Sequence, residues 1–200
     1  MMTRKTFLTG GASLGLAAAV GGTWPLCAQQ GAGDLGPTGL VLPDQTLPPS
    51  VPLKPYQKLQ HYWRDPDARM STAPQSEQAI ADLERRYSVR LPDDFRDYLV
   101  HSCPADEDID QNVTCWWPLD RIKNIVDELK LPIHNETVAR DAATYLFFAD
   151  FMIWCWAWAI ACGDDENRGR VVMISGVDVF VADSFTQFVD LYVDDYRQVM

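Results

Sequence analysis

Apolar residues recur at helical spacing in three separate parts of the chain. The stretch "YQKLQHYW" predicts a short helix over 56–63, residues 71–102 predict two further helices, and "WPLDRIKNIVDEL" predicts another over 117–129. The apolar positions that define these helices are Tyr56, Leu59, Tyr62 and Trp63; Ile80, Leu83 and Tyr87; Phe95, Tyr98 and Leu99; and Leu119, Ile122, Val126 and Leu129.

Two of these helices carry signals for where they start. Thr72 and Gln75 have the spacing of a capping box, which predicts a helix start at Thr72. Pro92 needs no backbone donor in a first turn, and the carboxylates of Asp93 and Asp94 favour the positive end of a helix dipole. A second helix is therefore predicted to start around Pro92.

The second half of the chain changes to a strand-like pattern and then closes with a helix. "TYLFFADFMIWCWAWAIAC" is aromatic and β-branched, and "RVVMISGVDVFVAD" predicts two strands around a two-residue turn at Ser175-Gly176. Ser184 and Gln187 predict the start of the last helix, whose buried stripe would be Phe185, Phe188, Val189, Tyr192 and Tyr196. Helices, then strands, then one helix predict an α+β fold.

Three tryptophans at every second position, Trp154, Trp156 and Trp158, would share one face of a strand. Such a face could stack on sugars or bases, but a sheet face covered by helices is the favoured interpretation. A membrane span is excluded for this stretch, because Asp150 on one side and "GDDEN" on the other leave it shorter than the roughly 20 apolar residues a span requires.

The N-terminal region has the pattern of an export signal. Arg4 and Lys5 precede an apolar Gly/Ala-rich stretch, which predicts a signal peptide over 1–28 that resembles a twin-arginine signal with lysine in place of the second arginine. Six prolines and four glycines then predict a linker over 29–55, followed by the folded domain over 56–200. The mature protein would be periplasmic and would have no transmembrane span; a cytoplasmic protein is the alternative.

Charge limits the possible partners. The chain has 200 residues and a net charge of -11, and removing residues 1–28 takes away two positive charges and no negative ones, which leaves -13. A chain this acidic lacks the basic face that nucleic-acid binding requires, so a basic protein is the better partner.

The cysteines indicate a disulfide and no zinc site. Loss of Cys27 with the leader would leave an even number, and Cys103 and Cys115 bracket an acidic loop, so these two are the favoured pair. No CxxC motif occurs, and the three histidines are scattered along the chain. We predict neither a structural metal nor a cofactor.

The order of three motifs resembles the SUKH superfamily, which includes the Smi/Knr cell-wall-assembly regulators. The motifs are "AIADLERRYSVRLPDDFRDYLV" with Glu84, "YLFFAD" and "VFVADSFTQFVDLYVDD", within residues 73–197. The chain has "HSCP" where the family tends to have Asn-Gly, so the loop from His101 to Cys115 would be rebuilt. The resemblance implies an α+β fold with a single mixed or antiparallel sheet packed against helices. In bacteria it also implies a non-enzymatic immunity protein that binds and neutralises a toxin. It supplies no catalytic residues.

Enzymatic motifs give no competing assignment. The alternate acids Asp106, Asp108 and Asp110 suggest a calcium loop, but Gln111 occupies the glycine position and Trp117 the closing glutamate position. No GxSxG, HExxH or Gly-rich phosphate loop occurs in the predicted folded domain, and the one GxSxG pattern, at 11–15, lies within the predicted signal peptide. We therefore predict that the protein is not an enzyme.

Two functional hypotheses remain. The first is an exported immunity-type protein that binds a toxin or effector, and the second is an envelope-associated domain that binds glycan through exposed aromatics such as Trp63, Trp116 and Trp117. For the first, the predicted partner-binding residues are Asp106, Glu107, Asp108, Asp110, Trp116, Trp117, Asp164, Asp165 and Glu166. Trp116 and Trp117 would be its aromatic anchors, although both rings could equally pack inward.

Overall fold

The computed structural model describes residues 52–68 and 70–200, which contain a helix-covered antiparallel sheet. The helices are α1 (Pro55–Tyr62), α2 (Glu77–Tyr87), α3 (Asp93–Ser102), α4 (Ile125–Glu128), α5 (Glu136–Arg140) and α6 (Phe185–Asp195). The strands are β1 (Asp108–Ile109), β2 (Thr114–Trp116), β3 (Tyr145–Phe151), β4 (Trp156–Ala161), β5 (Val171–Ile174) and β6 (Val179–Ala182). The predicted signal peptide and most of the predicted linker lie outside the described residues.

The sheet is a simple meander in which each strand pairs with the next one along the chain, in the order β1-β2-β3-β4-β5-β6. The longest pairing joins β3 and β4, from Tyr145 opposite Ala161 to Phe151 opposite Trp156. This arrangement confirms the predicted α+β class with one sheet. No helix in the described part of the chain is long and apolar enough to cross a bilayer.

One face of the sheet, here called the helix face, packs against α3 and α6. The Phe188 ring of α6 lies 5.2 Å from Phe148, 5.6 Å from Trp158 and 6.3 Å from Trp116, measured between ring centroids. All four rings are fully buried. The predicted apolar stripe of the last helix is therefore the centre of the core, and Ser184 caps this helix by accepting a hydrogen bond from Gln187 N, as predicted.

The opposite face of the sheet, here called the second face, carries Phe147 and Asp150 from β3 and Cys115 from β2. Cys115 pairs with Asp150 in the register, and their neighbours Trp116 and Ala149 point to the helix face because side chains alternate along a strand. The Trp117 ring packs on Phe147 on this second face, 5.8 Å away.

The predicted stripe of three tryptophans is only partly correct. Trp158 is fully buried on the helix face, and Trp156 is half-buried and stacks on Phe151 with ring centroids 4.2 Å apart. Trp154 lies in the turn between β3 and β4, not in a strand, and packs against Trp117 on the second face. The chain reverses direction in this turn, before β4 begins at Trp156. The alternation of side chains along a strand therefore does not extend to Trp154, and the three rings do not share a face.

The helices before the sheet mostly match the predictions. A short helix, α1, is present, and α3 begins at Asp93, directly after Pro92. However, α2 is capped by Ser76, whose hydroxyl accepts a hydrogen bond from Ala79 N, and not by Thr72. The backbone around Thr72 instead forms a bridge with Pro104 at the end of α3, which prevents an earlier helix start.

The helix predicted over 117–129 is wrong except for its last turn. The backbone of this segment bonds to β3 instead: Trp117 N donates to Phe148 O, and Phe147 N donates to Lys123 O. Only α4 is helical, and Asn124 caps it by accepting a hydrogen bond from Asp127 N. Hydrogen bonds to the first half of β3, which β2 does not pair with, thus replace helical hydrogen bonds. As a consequence Val126, expected in the core, is half-exposed.

The hairpin between β5 and β6 has a longer turn than predicted. Four residues, 175–178, connect the strands, and Asp178 adopts a left-handed conformation with φ of 53°. Its buried carboxylate accepts hydrogen bonds from Ser175 N and His134 N, which ties the turn to the segment before α5. The sequence therefore predicted the strands correctly and the turn length incorrectly.

Replacing the central ring of the core tests this packing. We expect Phe188→Ala to lower the free energy of unfolding by about 3–5 kcal/mol, because it removes a fully buried ring and leaves a cavity. Asp194→Ala, at an exposed position of the same helix, should change the free energy of unfolding by less than about 0.5 kcal/mol. Urea unfolding followed by tryptophan fluorescence measures both, and equal effects would contradict this account of the core.

Candidate protein-binding site

The acidic segment at 106–110 contains β1, the first strand of the β1–β2 hairpin. The side chain of its last acid, Asp110, points into the protein. The Asp110 carboxylate accepts hydrogen bonds from Trp116 Nε1 at 3.0 Å, from the Tyr192 hydroxyl at 2.6 Å and from the backbone N of Thr114 at 3.2 Å. It is almost fully buried. Asp110 is therefore a structural residue that ties the hairpin to α6, and its prediction as a partner-binding residue is wrong.

Burial also sets the ionisation of this network. Desolvation raises the pKa of Asp110, and this effect outweighs the hydrogen bonds from Tyr192, Trp116, Thr114 and Asn112, which lower it. Desolvation likewise raises the pKa of Tyr192 well above its usual range, with the nearby Asp110 charge as the second cause. Burial thus disfavours the ionised form of Asp110, whereas its hydrogen-bond donors favour it.

The tryptophans predicted as anchors are not available to a partner. Trp116 and Trp117 are both fully buried, one on each face of the sheet, because consecutive residues of an extended chain point to opposite sides. Trp63 is buried as well, at the end of α1 against Trp116. The glycan hypothesis depended on these same three rings, so the structure offers it no exposed aromatic platform there.

The exposed acids fall into two groups that do not share a surface. Asp106 and Glu107 are exposed ahead of β1, whereas Asp108 is half-buried and accepts hydrogen bonds from the backbone N and hydroxyl of Ser71. The other group, Asp164, Asp165 and Glu166, follows β4 at the end of the strand remote from the β3–β4 turn. The structure thus separates the acidic loops that the sequence suggested as one face.

A groove of about 410 Å³ lies on the second face, between the β1–β2 hairpin and the β3–β4 turn. Apolar side chains dominate its walls, namely Ile109, Val113, Met152, Ile153 and Trp154. Its polar lining consists of Glu107, Cys115, Arg121 and Asp150. The groove combines an apolar surface with a few convergent polar groups, which is the usual composition of a binding site.

The turn beside this groove is conformationally unusual. Met152, Ile153 and Trp154 have φ of 45°, 55° and 67°, a left-handed run that residues other than glycine rarely adopt. Asp150 holds the turn, since one carboxylate oxygen accepts from Trp154 N at 3.0 Å and the other from Trp117 Nε1 at 2.8 Å. The side chain of Ile153 is 93% exposed as a result.

Sequence reasoning missed this turn, because the tryptophan spacing favoured an uninterrupted strand. The only local signal for it in the sequence is Asp150, a charged residue within an apolar run. In the structure Asp150 is a buried residue of β3 whose hydrogen bonds define the turn that follows.

Arg121 lies at the polar end of the groove. Its guanidinium stacks on the Trp117 ring at 3.8 Å, donates to Glu128 at 2.6 Å and lies 3.5 Å from Glu107. The hydrogen bond to Glu128 is the main cause that raises the pKa of Arg121. Its Nη1 atom is buried and has no hydrogen-bond partner among the described residues.

The predicted disulfide is absent, because Cys103 and Cys115 are free thiols. Cys115 faces the groove on the second face, whereas Cys103 is buried at the end of α3 and receives a hydrogen bond from the backbone of Leu119. Desolvation raises the pKa of each thiol to about 12. The described residues contain no group of three or more His, Cys, Asp or Glu side chains placed to hold a metal ion.

Comparison with known proteins adds one finding. A model of the SMI1/KNR4 family (SUKH-1) matches residues 74–191, which is more than half of the chain. The matched region starts just before α2 and ends within α6, so it includes every strand of the sheet. No curated protein matches the chain.

Thiol accessibility tests the cysteine assignment. In a Cys27→Ser chain purified without reductant, we expect a thiol reagent at about pH 8 to label exposed Cys155 first. Cys103 and Cys162 should react only after unfolding, because both are buried. Denaturation should bring the total to four reactive thiols, and Cys155→Ser should remove the fast phase. A total of two thiols would establish a disulfide.

The buried Asp110 carboxylate predicts a specific pH dependence. Because its pKa is raised in the folded state, its contribution to stability is greatest below the unfolded pKa of about 3.9 and declines as the pH rises through the folded pKa. The free energy of unfolding of the unmodified protein minus that of Asp110→Asn should therefore fall as the pH rises above the unfolded pKa of about 3.9. Chemical unfolding at several pH values measures it, with exposed Asp194→Asn as control. A difference that rises with pH would contradict the assignment.

Proposed function

Because the chain belongs to the SMI1/KNR4 family (SUKH-1), we propose that it is an exported, non-enzymatic immunity-type protein that binds and neutralises a protein toxin or effector. The proposal combines family membership with one structural observation. The groove on the second face and the exposed tip of the β3–β4 turn form an apolar surface next to exposed acids. Apolar surface of this kind, rimmed by polar residues, typically marks a site of protein–protein interaction.

Charge supports a basic partner. With a net charge of -11, or -13 for the proposed mature chain, long-range attraction would speed the encounter with a positively charged protein and would weaken as salt rises. Glu107, which lines the groove, and its exposed neighbour Asp106 would provide the local part of this attraction. Asp108 would contribute less, since its carboxylate already bonds to Ser71.

Export determines which kind of toxin is relevant. The basic start and apolar Gly/Ala-rich stretch of residues 1–28 support secretion, so the protein would meet its partner outside the cytoplasm. A toxin that attacks the cell envelope is the natural opponent of a protein in that compartment. This function requires no catalytic group at the binding surface, because binding alone would block a toxin.

Neutralisation can be tested with the product of a neighbouring toxin or effector gene. We expect directing this toxin to the periplasm to arrest growth and co-expression of the full chain to restore it. A chain starting at Gln29, which lacks the proposed signal peptide, should stay in the cytoplasm and give no protection. Equal protection by both forms would contradict export, and failure of the full chain against every adjacent effector would contradict the immunity function.

The location of the acidic contribution can be tested with matched charge reversals. Asp106→Lys/Glu107→Lys and Asp164→Lys/Glu166→Lys change the net charge equally, and each pair contains one acid that lies near an arginine, at 3.5 Å for Glu107 and 3.6 Å for Asp164. We expect the first pair to slow association with the toxin about tenfold or more at low salt and the second pair to have a smaller effect. Stopped-flow or surface-binding kinetics measure the rates. Equal effects would show that only net charge matters.

A further inference from the structure

We propose that the groove on the second face binds an extended partner segment in which apolar and cationic side chains alternate. In this complex one apolar side chain enters the groove beside Trp154, neighbouring lysine or arginine side chains meet Asp106 and Glu107, and the Ile153 tip is buried by the partner. This inference rests on the proposed protein-binding function and identifies the chemistry of the partner at the site.

The tip has the properties of a pre-organised anchor. Ile153 is almost fully exposed and Met152 is half-exposed, although apolar side chains of this size are more often buried. The left-handed backbone that presents them is held by the Asp150 carboxylate and by the hydrogen bond from Met152 N to Val113 O at 3.2 Å. Backbone in such a sparsely populated conformation is concentrated at functional sites. A tip already held in place loses little conformational entropy on binding.

The polar lining favours a cationic neighbour over an anionic one. Arg121 already has Glu128 and Glu107 as anionic partners, so it needs no further carboxylate from the bound segment. Glu107 is exposed at the border of the groove and lies near a single arginine. Together with Asp106 it leaves negative charge at the rim, which attracts a lysine or arginine.

The same charges disfavour two other occupants. A second copy of this chain would bring Asp106 and Glu107 of both copies close together, and like charges across an interface oppose association. An anionic lipid surface would be repelled by the acidic rim and by the net charge of -11. A basic protein segment is the occupant that agrees with both the apolar walls and the rim.

Among the described residues, α1 lies on the side of the sheet away from this groove. It packs on the helix face through Lys54 with Asp97 of α3 and Lys58 with Asp190 of α6. Cys115 and Asp150, which line the groove, point to the opposite face of the sheet.

Synthetic peptides test the proposed chemistry on the full chain. The probe is a peptide in which lysine and leucine alternate, and the controls alternate lysine with serine or glutamate with leucine. We expect the lysine–leucine peptide to bind at least about tenfold more tightly than either control, because only it matches both the rim and the walls. Calorimetry gives the affinities, and the NMR indole signal of Trp154, assigned with Trp154→Phe, should shift on binding. Equal affinities, or no shift, would overturn the proposal.

A matched pair of variants locates the contact. Ile153→Asp places a charge on the tip, and Leu53→Asp makes the same change at a half-exposed leucine before α1. We expect the first to weaken binding of the lysine–leucine peptide about tenfold or more and the second to leave it unchanged. Circular dichroism and unfolding curves of both variants verify that the fold is retained. Equal affinities for the unmodified and Ile153→Asp chains would overturn the site.

Two further measurements separate the competing outcomes. Binding to neutral phosphatidylcholine vesicles that is lost in Ile153→Asp would show that the tip inserts into lipid and would overturn the protein-segment proposal. Dimerisation in sedimentation that is lost in the same variant would overturn it in favour of a second copy. Failure of the full chain to neutralise toxins, with peptide binding intact, would contradict the proposed function alone. Neutralisation that persists in Ile153→Asp, with no selective peptide binding, would contradict this site alone.

Discussion

The structure depends on one constraint: two adjacent tryptophans are buried, and the indole N–H of each needs a hydrogen-bond acceptor inside the protein. Trp116 and Trp117 are buried on opposite faces of the sheet, and each donates to a buried carboxylate, Asp110 on the helix face and Asp150 on the second face. A buried indole donor without an acceptor would lose its hydrogen bond to water without compensation. The two carboxylates supply the acceptors and bring distant segments into contact.

Each carboxylate also organises the backbone around it. Asp110 bonds to Tyr192 of α6 and so holds the β1–β2 hairpin against the aromatic core. Asp150 bonds to the backbone of Trp154 and holds the turn that projects Ile153. The acidic residues of this chain therefore divide into two kinds, since these two are structural whereas Asp106 and Glu107 remain at the surface, where they can attract a partner.

Elements whose evidence is local were predictable from the sequence. The start of α3 at Asp93, the cap of α6 at Ser184 and the strands β5 and β6 depend on neighbouring residues, and all three predictions are confirmed. The family resemblance also depended on short motifs with a local structural role. Glu84, for example, accepts a hydrogen bond from Leu91 N at 2.9 Å and so fixes the connection between α2 and α3.

The sequence by itself determined the α+β class, the main core positions and the acidic character of the protein. It could not determine which acids are exposed, because the burial of Asp110 depends on Tyr192, which lies 82 positions along the chain. Nor could it predict the groove, whose walls come from the β1–β2 hairpin and the β3–β4 turn and meet only through the pairing of β2 with β3. Sequence periodicity reports local geometry, whereas the site arises from contacts between segments far apart in the chain, and those exist only in the folded structure.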